Sequence, residues 1–494
     1  MRSRPVLASV AATVPAVVLA GVPEIGVANT DPDERRWAAA VLRVDKAPLR
    51  PWIALQKPNV GIVTPGVLRV GSKLHIVWSR YDGSNRSVRT RVLNSSGRIA
   101  SPTKPIVTGW LALIGDPKLL SDGNKIRAVF AGIRSTAPGD PYVGPAVSST
   151  SAKGLAWDLQ PGSLSATTAA GNAETIDAID GAGAPFFAMG GFDQHVIMHR
   201  GTSPASPAST PDFFTDNTGC CPATSVALAN DRGSGQVWAA WHALSASTQA
   251  TAGQFVQRVW PRPGGAKIKA PGSSTGGHAM NPSQRVALSE RAGGSVWLAY
   301  PLGYPTSKKF RMWKVGTKTF WDVRAHGQLG DVALAPGPAG RLWVAWTTLG
   351  DRKLHVARTN PAVTRLGAAR KLPYPGGGQL NRFVLEGSRG PVDVVAAAQP
   401  PGSGSNGIYA GHVLPGLSVK ASPNRLAQGR VTVTVTDAGK AVRGAKVAFR
   451  GHHATTNVQG KARFAVPPSV PDGRYAVAVS KPGYAKSAGR VTIT

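Results

Sequence analysis

Cysteine is almost missing from this 494-residue chain, and its two copies, Cys220 and Cys221, are adjacent in "DNTGCCPATSV". Two residues cannot make a zinc site, which takes about four ligands, and they cannot staple a small disulfide scaffold. Glutamate is scarce as well, occurring only at Glu24, Glu34, Glu174, Glu290 and Glu386. Chemistry that needs paired carboxylates therefore has few residues to draw on. Beyond the N-terminus there is no apolar run of the roughly 20 residues that a membrane helix requires, so no transmembrane span is expected in the mature chain.

The scarcity of acids, rather than an excess of bases, sets the charge. Lys and Arg total 57 against 25 Asp and Glu, a formal net charge of +32, while charged residues make up only 17% of the chain. Such a balance favours anionic partners, an acidic glycan or cell-wall polymer, without implying a specific nucleic-acid site. High-GC codon usage produces the same balance, so charge alone specifies no ligand.

The chain opens "MRSRPVLASVAATVPAVVLAGVPEIGVANT". Arg2 and Arg4 precede an uncharged run from Val6 to Val22, and Gly26-Val27-Ala28 has the small-residue spacing of a cleavage site. Residues 1–28 are expected to be a secretory signal, the alternative being a retained anchor. Export would oxidise the thiols, giving a disulfide between neighbours, with links to other chains or free thiols as the alternatives. Adjacent Cα atoms stand about 3.8 Å apart, shorter than the usual disulfide range of roughly 4.4 to 6.8 Å, so a vicinal bond requires a distorted peptide.

One pattern organises the rest: a glycine-rich turn, then a short apolar strand that usually closes on an aromatic. Copies end at Trp78, Phe130, Met189, Trp241, Tyr300, Trp346 and Ala396, about 46 to 59 residues apart. Apolar strands such as "GVLRV" and "DVALA" precede several copies, and alternating strands such as "SVRTRVLN" and "KLHVART" follow others. Three or four strands in each period describe a propeller blade. The expected fold is thus all-β, a six- or seven-bladed β-propeller over residues 60–414. The apolar strand should be an inner one, covered on both faces by neighbouring blades. An ordinary β-sandwich also has short strands but does not require seven copies of one pentamer.

Residues 29–59 form an N-terminal segment that is expected to hold a ring-closing strand. "RRWAAAVLRVD" within it and "VGIVTPG" just after it are the candidates, although Asp31 to Glu34 also read as a helix start. After residue 414 the pattern changes. "VTVTVT" alternates strictly, and "DAGK", "NVQGK" and "PDGR" are turns, so residues 415–494 should form a small antiparallel sandwich of about seven strands. Its run "VTDAGKAVRGAKVAF" through "DGRYAVAVSKPGY" resembles bacterial Ig-like and carboxypeptidase-regulatory-like modules, which implies adhesion or spacing rather than chemistry.

The stretch "GCCPATSVALANDRGSGQVWAAW" resembles secreted bacterial sialidase-like propellers, in which a Cys-Cys pair precedes an apolar strand, a turn and a strand ending Ala-Trp. At "TSAKGLAW", Thr150, Gly154 and Trp157 fit an Asp-box with Ala152 in place of its Asp. That hairpin motif supports kinship and not activity. A sialidase needs arginines around the substrate carboxylate, a Tyr nucleophile activated by Glu, and an acid/base. The resemblance offers Arg80, Arg134, Arg200 and Arg311 for the first role, Tyr409 for the second and Glu290 for the carboxylate. No recognisable motif surrounds Glu290.

Other matches fail on context. "GSGSNG" at 402–407 has no following helix to hold a pyrophosphate, and "GSSTG" at 272–276 lacks the strand-turn-helix of a nucleophile elbow. His195 and His199 would share a strand face but sit about 13 Å apart, and His452-His453 falls in a polar hairpin. No metal and no cofactor are expected. The sequence therefore describes an exported monomer that binds an anionic glycan or wall polymer through a propeller. Its rivals are a sialidase-type exo-glycosidase and a structural surface protein held by basic charge.

Overall fold

The computed structural model describes residues 51–494, apart from 62–63, 123–124, 138–139, 141–142, 152–155, 161–172, 182–183, 192–195, 201–212, 215–225, 244–252, 262–263, 274–285 and 304–305. The signal segment, the candidate strand "RRWAAAVLRVD" with Asp31 to Glu34, the Cys220-Cys221 pair, Gly154, Ser274 and His195 lie outside these residues.

Strands along residues 53–413 assemble into seven four-stranded antiparallel sheets. Sheets 1 to 6 each take four consecutive strands, over residues 66–110, 112–159, 173–214, 226–269, 287–324 and 329–373. Sheet 7 takes three strands from residues 379–413 and its outermost strand from Ile53–Val60. The first strands touch one another in order around the molecule, and the first strand of sheet 7 returns to that of sheet 1. Sheets arranged radially with their first strands innermost form a β-propeller.

Each of the seven apolar pentamers is the second strand of its sheet, including the irregular copies at Met189 and Ala396. The pentamer is therefore not the innermost strand of its sheet; the less regular strand before it is. Burial explains the pattern. Leu342–Thr348 is buried along its whole length, and Val296–Leu302 is buried at all but its last residue. A second strand lies between its own neighbours in the hydrogen-bonding direction and between two other sheets in the stacking direction, so both rows of side chains must be apolar.

Seven apolar cores fill the spaces between successive sheets. The one joining sheet 7 to sheet 1 gathers Leu74, Ile76 and Trp78 with Val395, Ala397 and Ile408, and Leu55 and Val60 of the N-terminal strand complete it. That strand is "IALQKPNV"; of "VGIVTPG" it includes only Val60, and "RRWAAAVLRVD" lies outside the described residues.

Residues 418–493 form nine short strands in two sheets around one further core, with Val431, Val433, Val435, Phe449 and Phe464 at its centre. An ion cluster attaches these sheets to sheet 6. Asp437, 2% exposed, accepts hydrogen bonds from Arg358 Nη2 at 2.5 Å and Tyr484 Oη at 3.3 Å, with Arg341 Nη2 at 3.3 Å. Among the described residues no helix is long and apolar enough to cross a membrane.

Candidate functional site

In an antiparallel meander the start of the first strand, the end of the second and the start of the third lie at one end of the sheet. At this end, between sheets 6 and 7, a cleft of about 510 Å³ opens beside the inner strands. Its walls are Asp331 and Thr347 of sheet 6, Arg352 and Tyr374 of the connections, and Gln379, Asn381 and Arg382 of sheet 7.

A backbone irregularity shapes both inner walls. The pairing of sheet 6 shifts between Leu329 and Val332, and that of sheet 7 shifts between Leu380 and Arg382. The local sequences match: Gly327-Gln328-Leu329-Gly330-Asp331 and Gly378-Gln379-Leu380-Asn381-Arg382. Bulges of this kind turn side chains away from the regular alternation. They place Asp331 and Arg382 at equivalent points of neighbouring sheets, one carboxylate and one guanidinium. Burial lowers the Arg382 pKa, and the Asp331 carboxylate partly restores it. Arg382 Nη1 donates to the Asn381 carbonyl at 2.9 Å, and the Asp331 amide donates to Thr347 Oγ1 at 2.9 Å.

The third wall is the connection "YPGGG", residues 374–378. Gly376 and Gly377 have φ of 62° and 70°, a region that costs an ordinary L-residue about 1 kcal/mol or more. At Gly378 a Cβ would meet the Gln399 carbonyl oxygen at 1.9 Å. Arg352 Nη2 fastens the loop by donating to the Gly377 and Gly378 carbonyls at 2.5 and 2.7 Å. Tyr374 Oη donates to the Thr348 carbonyl at 3.4 Å, and burial pushes its phenol up to about 12, so it stays protonated at neutral pH. The result is a preformed polar cleft with amide and hydroxyl donors and a partly buried guanidinium with a carboxylate nearby.

The residues singled out from sequence are spread over different sheets. Arg80 is half-buried near the end of the second strand of sheet 1. Arg134 follows that of sheet 2, where its Nε bonds Asp140 at 3.0 Å. Arg311, in the third strand of sheet 5, bonds Asp322 at 2.7 Å and the Pro271 carbonyl at 3.1 Å, and stacks over Phe320 at 3.9 Å. These three and Tyr409 lie toward the cleft end of their sheets. Arg200 and Glu290 lie at the other end, Arg200 exposed and 4.3 Å over Trp260, Glu290 bonded to Arg232 at 3.2 Å. Burial raises the Glu290 pKa, with Arg232 opposing it.

Tyr409 is in the third strand of sheet 7, and its hydroxyl lies against Gly376, behind the loop that walls the cleft. Burial alone raises its pKa. Among the described residues no carboxylate hydrogen-bonds it; Glu290 is held by Arg232 and Glu386 by Arg69. Trp157 lies between the third and fourth strands of sheet 2 and packs on the core between sheets 1 and 2, while the Thr150 side chain is outside the described set. Trp78, Phe130, Trp241, Tyr300 and Trp346 are buried core residues. The His199 side chain is also outside the described set, and His452 and His453 are exposed in the C-terminal sheets. No cluster of metal-ligating side chains occurs among the described residues.

The cleft residues lie outside the aromatic-closing pentamers, so that pattern does not single them out. The repeated "GQL", with a charged residue two positions after the Leu, is the signal that marks them.

No family model matches the sequence. No curated protein matches it at a significant level. Solved structures that are similar include the polysaccharide lyase Uly1, with a TM-score of 0.46 at 9% identity over 75% of this chain and 95% of that one. The β-propeller domain of the Trilobed protease from Pyrococcus furiosus gives 0.41 at 10% identity over 70% and 95%. Trypanosoma rangeli sialidase gives 0.37 at 10% identity over 72% and 55%. All three scores are below 0.5, so the fold description rests on this chain's own strand pairing.

Proposed function

We propose that the protein is a seven-bladed β-propeller with a C-terminal Ig-like module (residues 415–494), exported and acting outside the cytoplasm, and that it binds an anionic glycan. The cleft between sheets 6 and 7 holds the ligand. The observation that carries this reading is the pairing of Asp331 and Arg382 at matched bulges across a preformed polar cleft. An Arg fork binds a sugar carboxylate in bidentate fashion, Asp331 accepts from neighbouring hydroxyls, and Asn381, Gln379 and Thr347 complete a hydrogen-bonding surface. The net charge of +32 draws polyanions toward any such site and accelerates their capture.

Binding is favoured over glycoside hydrolysis because, among the described residues, no carboxylate hydrogen-bonds the Tyr409 hydroxyl, whose pKa burial raises, to activate it. A screen of soluble acidic polysaccharides that scores retention and chain length together tests the reading. Retention of an intact polymer supports it, and shortened chains would replace it with the glycosidase alternative.

A further inference from the structure

At the opposite end of the sheets, between sheets 4 and 5, lies a second groove of about 550 Å³ with a different chemistry. Two glycine-rich hairpins wall it, Asp231 to Gly235 and Arg291 to Ser295. Asp231 Oδ1 joins them by accepting from the Gly233 amide at 3.1 Å and the Ser295 amide at 2.9 Å. A Cβ at Gly233 would meet Gly294 Cα at 2.9 Å, so the hairpins touch through bare backbone and leave the groove open.

Trp238 is half-buried on its floor, packed on the core between sheets 4 and 5. Position 316, where a side chain would cover the indole, is glycine; even a Cβ there would reach the ring edge at 3.7 Å. Lys314, Gln236 and Ser234 complete the lining. Lys314 forms no ion pair among the described residues, whereas Arg291 is engaged with the Gly340 and Pro361 carbonyls.

We propose that this groove is a subsite for one uronic acid ring of the polymer, a proposal that rests on the anionic-glycan reading. The apolar C–H face of a pyranose fits the indole, its carboxylate pairs with the Lys314 ammonium, and its hydroxyls bond Gln236 and Ser234. A neutral sugar would leave Lys314 without a partner. A flat aromatic ligand would leave the amide and hydroxyl unused.

The test is calorimetric titration of the full chain with a galacturonic acid trimer, with a neutral galactose trimer as control, in the wild type and in an Arg382→Gln background that removes the cleft. In that background Trp238→Ala is expected to weaken trimer binding by about tenfold or more, Lys314→Gln by about threefold or more, and Trp238→Phe by less than Trp238→Ala. Lys314→Gln, a change at a partly exposed position, keeps the test valid if Trp238→Ala fails to fold. An Arg382→Gln protein that binds no trimer, or one in which Trp238→Phe and Lys314→Gln have no effect, overturns the groove and leaves the cleft reading intact. Binding lost in the groove variants but untouched by Arg382→Gln supports the groove and refutes the cleft.

Discussion

Asp331 and Arg382 hold the same place in successive sheets, and the difference between them turns a repeated backbone irregularity into a site. Nearby, Gly378 shows how tightly the cleft wall is built. Gly378→Ala sets a methyl carbon 1.9 Å from a carbonyl oxygen, and thermal unfolding should fall by several degrees, equivalent to about 2 kcal/mol or more. An unchanged melting temperature would mean that the loop is not held as described. His75 provides a pH signature. It is 1% exposed in the second strand of sheet 1, and burial, with Lys73 adding to it, depresses its pKa to about 4. Protonation therefore favours the unfolded chain. The stability contribution is complete above about pH 6.5 and is lost as pH falls toward about 4, to the extent of about 3 kcal/mol. His75→Phe should flatten that part of the stability-pH curve, measured by denaturant unfolding; an unaltered curve would show that His75 is not buried neutral.

Ring closure depends on a strand and an ion cluster. Ile53–Val60 pairs with the third strand of sheet 7, and Arg69 in the first strand of sheet 1 bonds Glu386 and Asp393 of sheet 7. His412 Nδ1 shares Asp393 at 2.8 Å. Arg69 and Asp393 are 8% and 3% exposed, so removing one partner leaves the other buried and undercompensated. Asp393→Ala should destabilise the protein by about 3 kcal/mol, read as a shifted denaturant midpoint, whereas a change below about 0.5 kcal/mol would show that the cluster does not hold the junction. The second strands were legible in sequence because burial on both faces leaves an unbroken apolar run, as in "LWVAW". The fourth strands of sheets 2, 3 and 4 were not: Asp158–Leu159, Phe213–Phe214 and Ile268–Lys269 are two residues long. Which stretch forms the closing strand was not legible because Gln56, Lys57 and Pro58 interrupt its apolar pattern, and an edge strand tolerates proline. The cleft escaped because a bulge breaks the period-two pattern at the residues it exposes.

Across the whole molecule, charge and architecture act together. Asp437 and Asp472 are the only acids after residue 414, and Asp437 is buried between Arg341 and Arg358 of sheet 6. The exposed surface of the C-terminal sheets thus carries Asp472 alone against many Lys and Arg, including Lys420, Arg430, Lys461 and Arg463 on one sheet face. Such a surface attracts any polyanion, with an affinity that falls as salt screens it. A built site should keep part of its affinity where general attraction is screened. The most direct test is therefore calorimetric titration of polygalacturonate at low salt and at about 0.5 M salt, comparing wild type with Arg382→Gln. Saturable binding that persists at the higher salt and weakens by about tenfold in Arg382→Gln is the expected result. Equal affinities of the two proteins at both salts, or binding that vanishes from both at the higher salt, would contradict it.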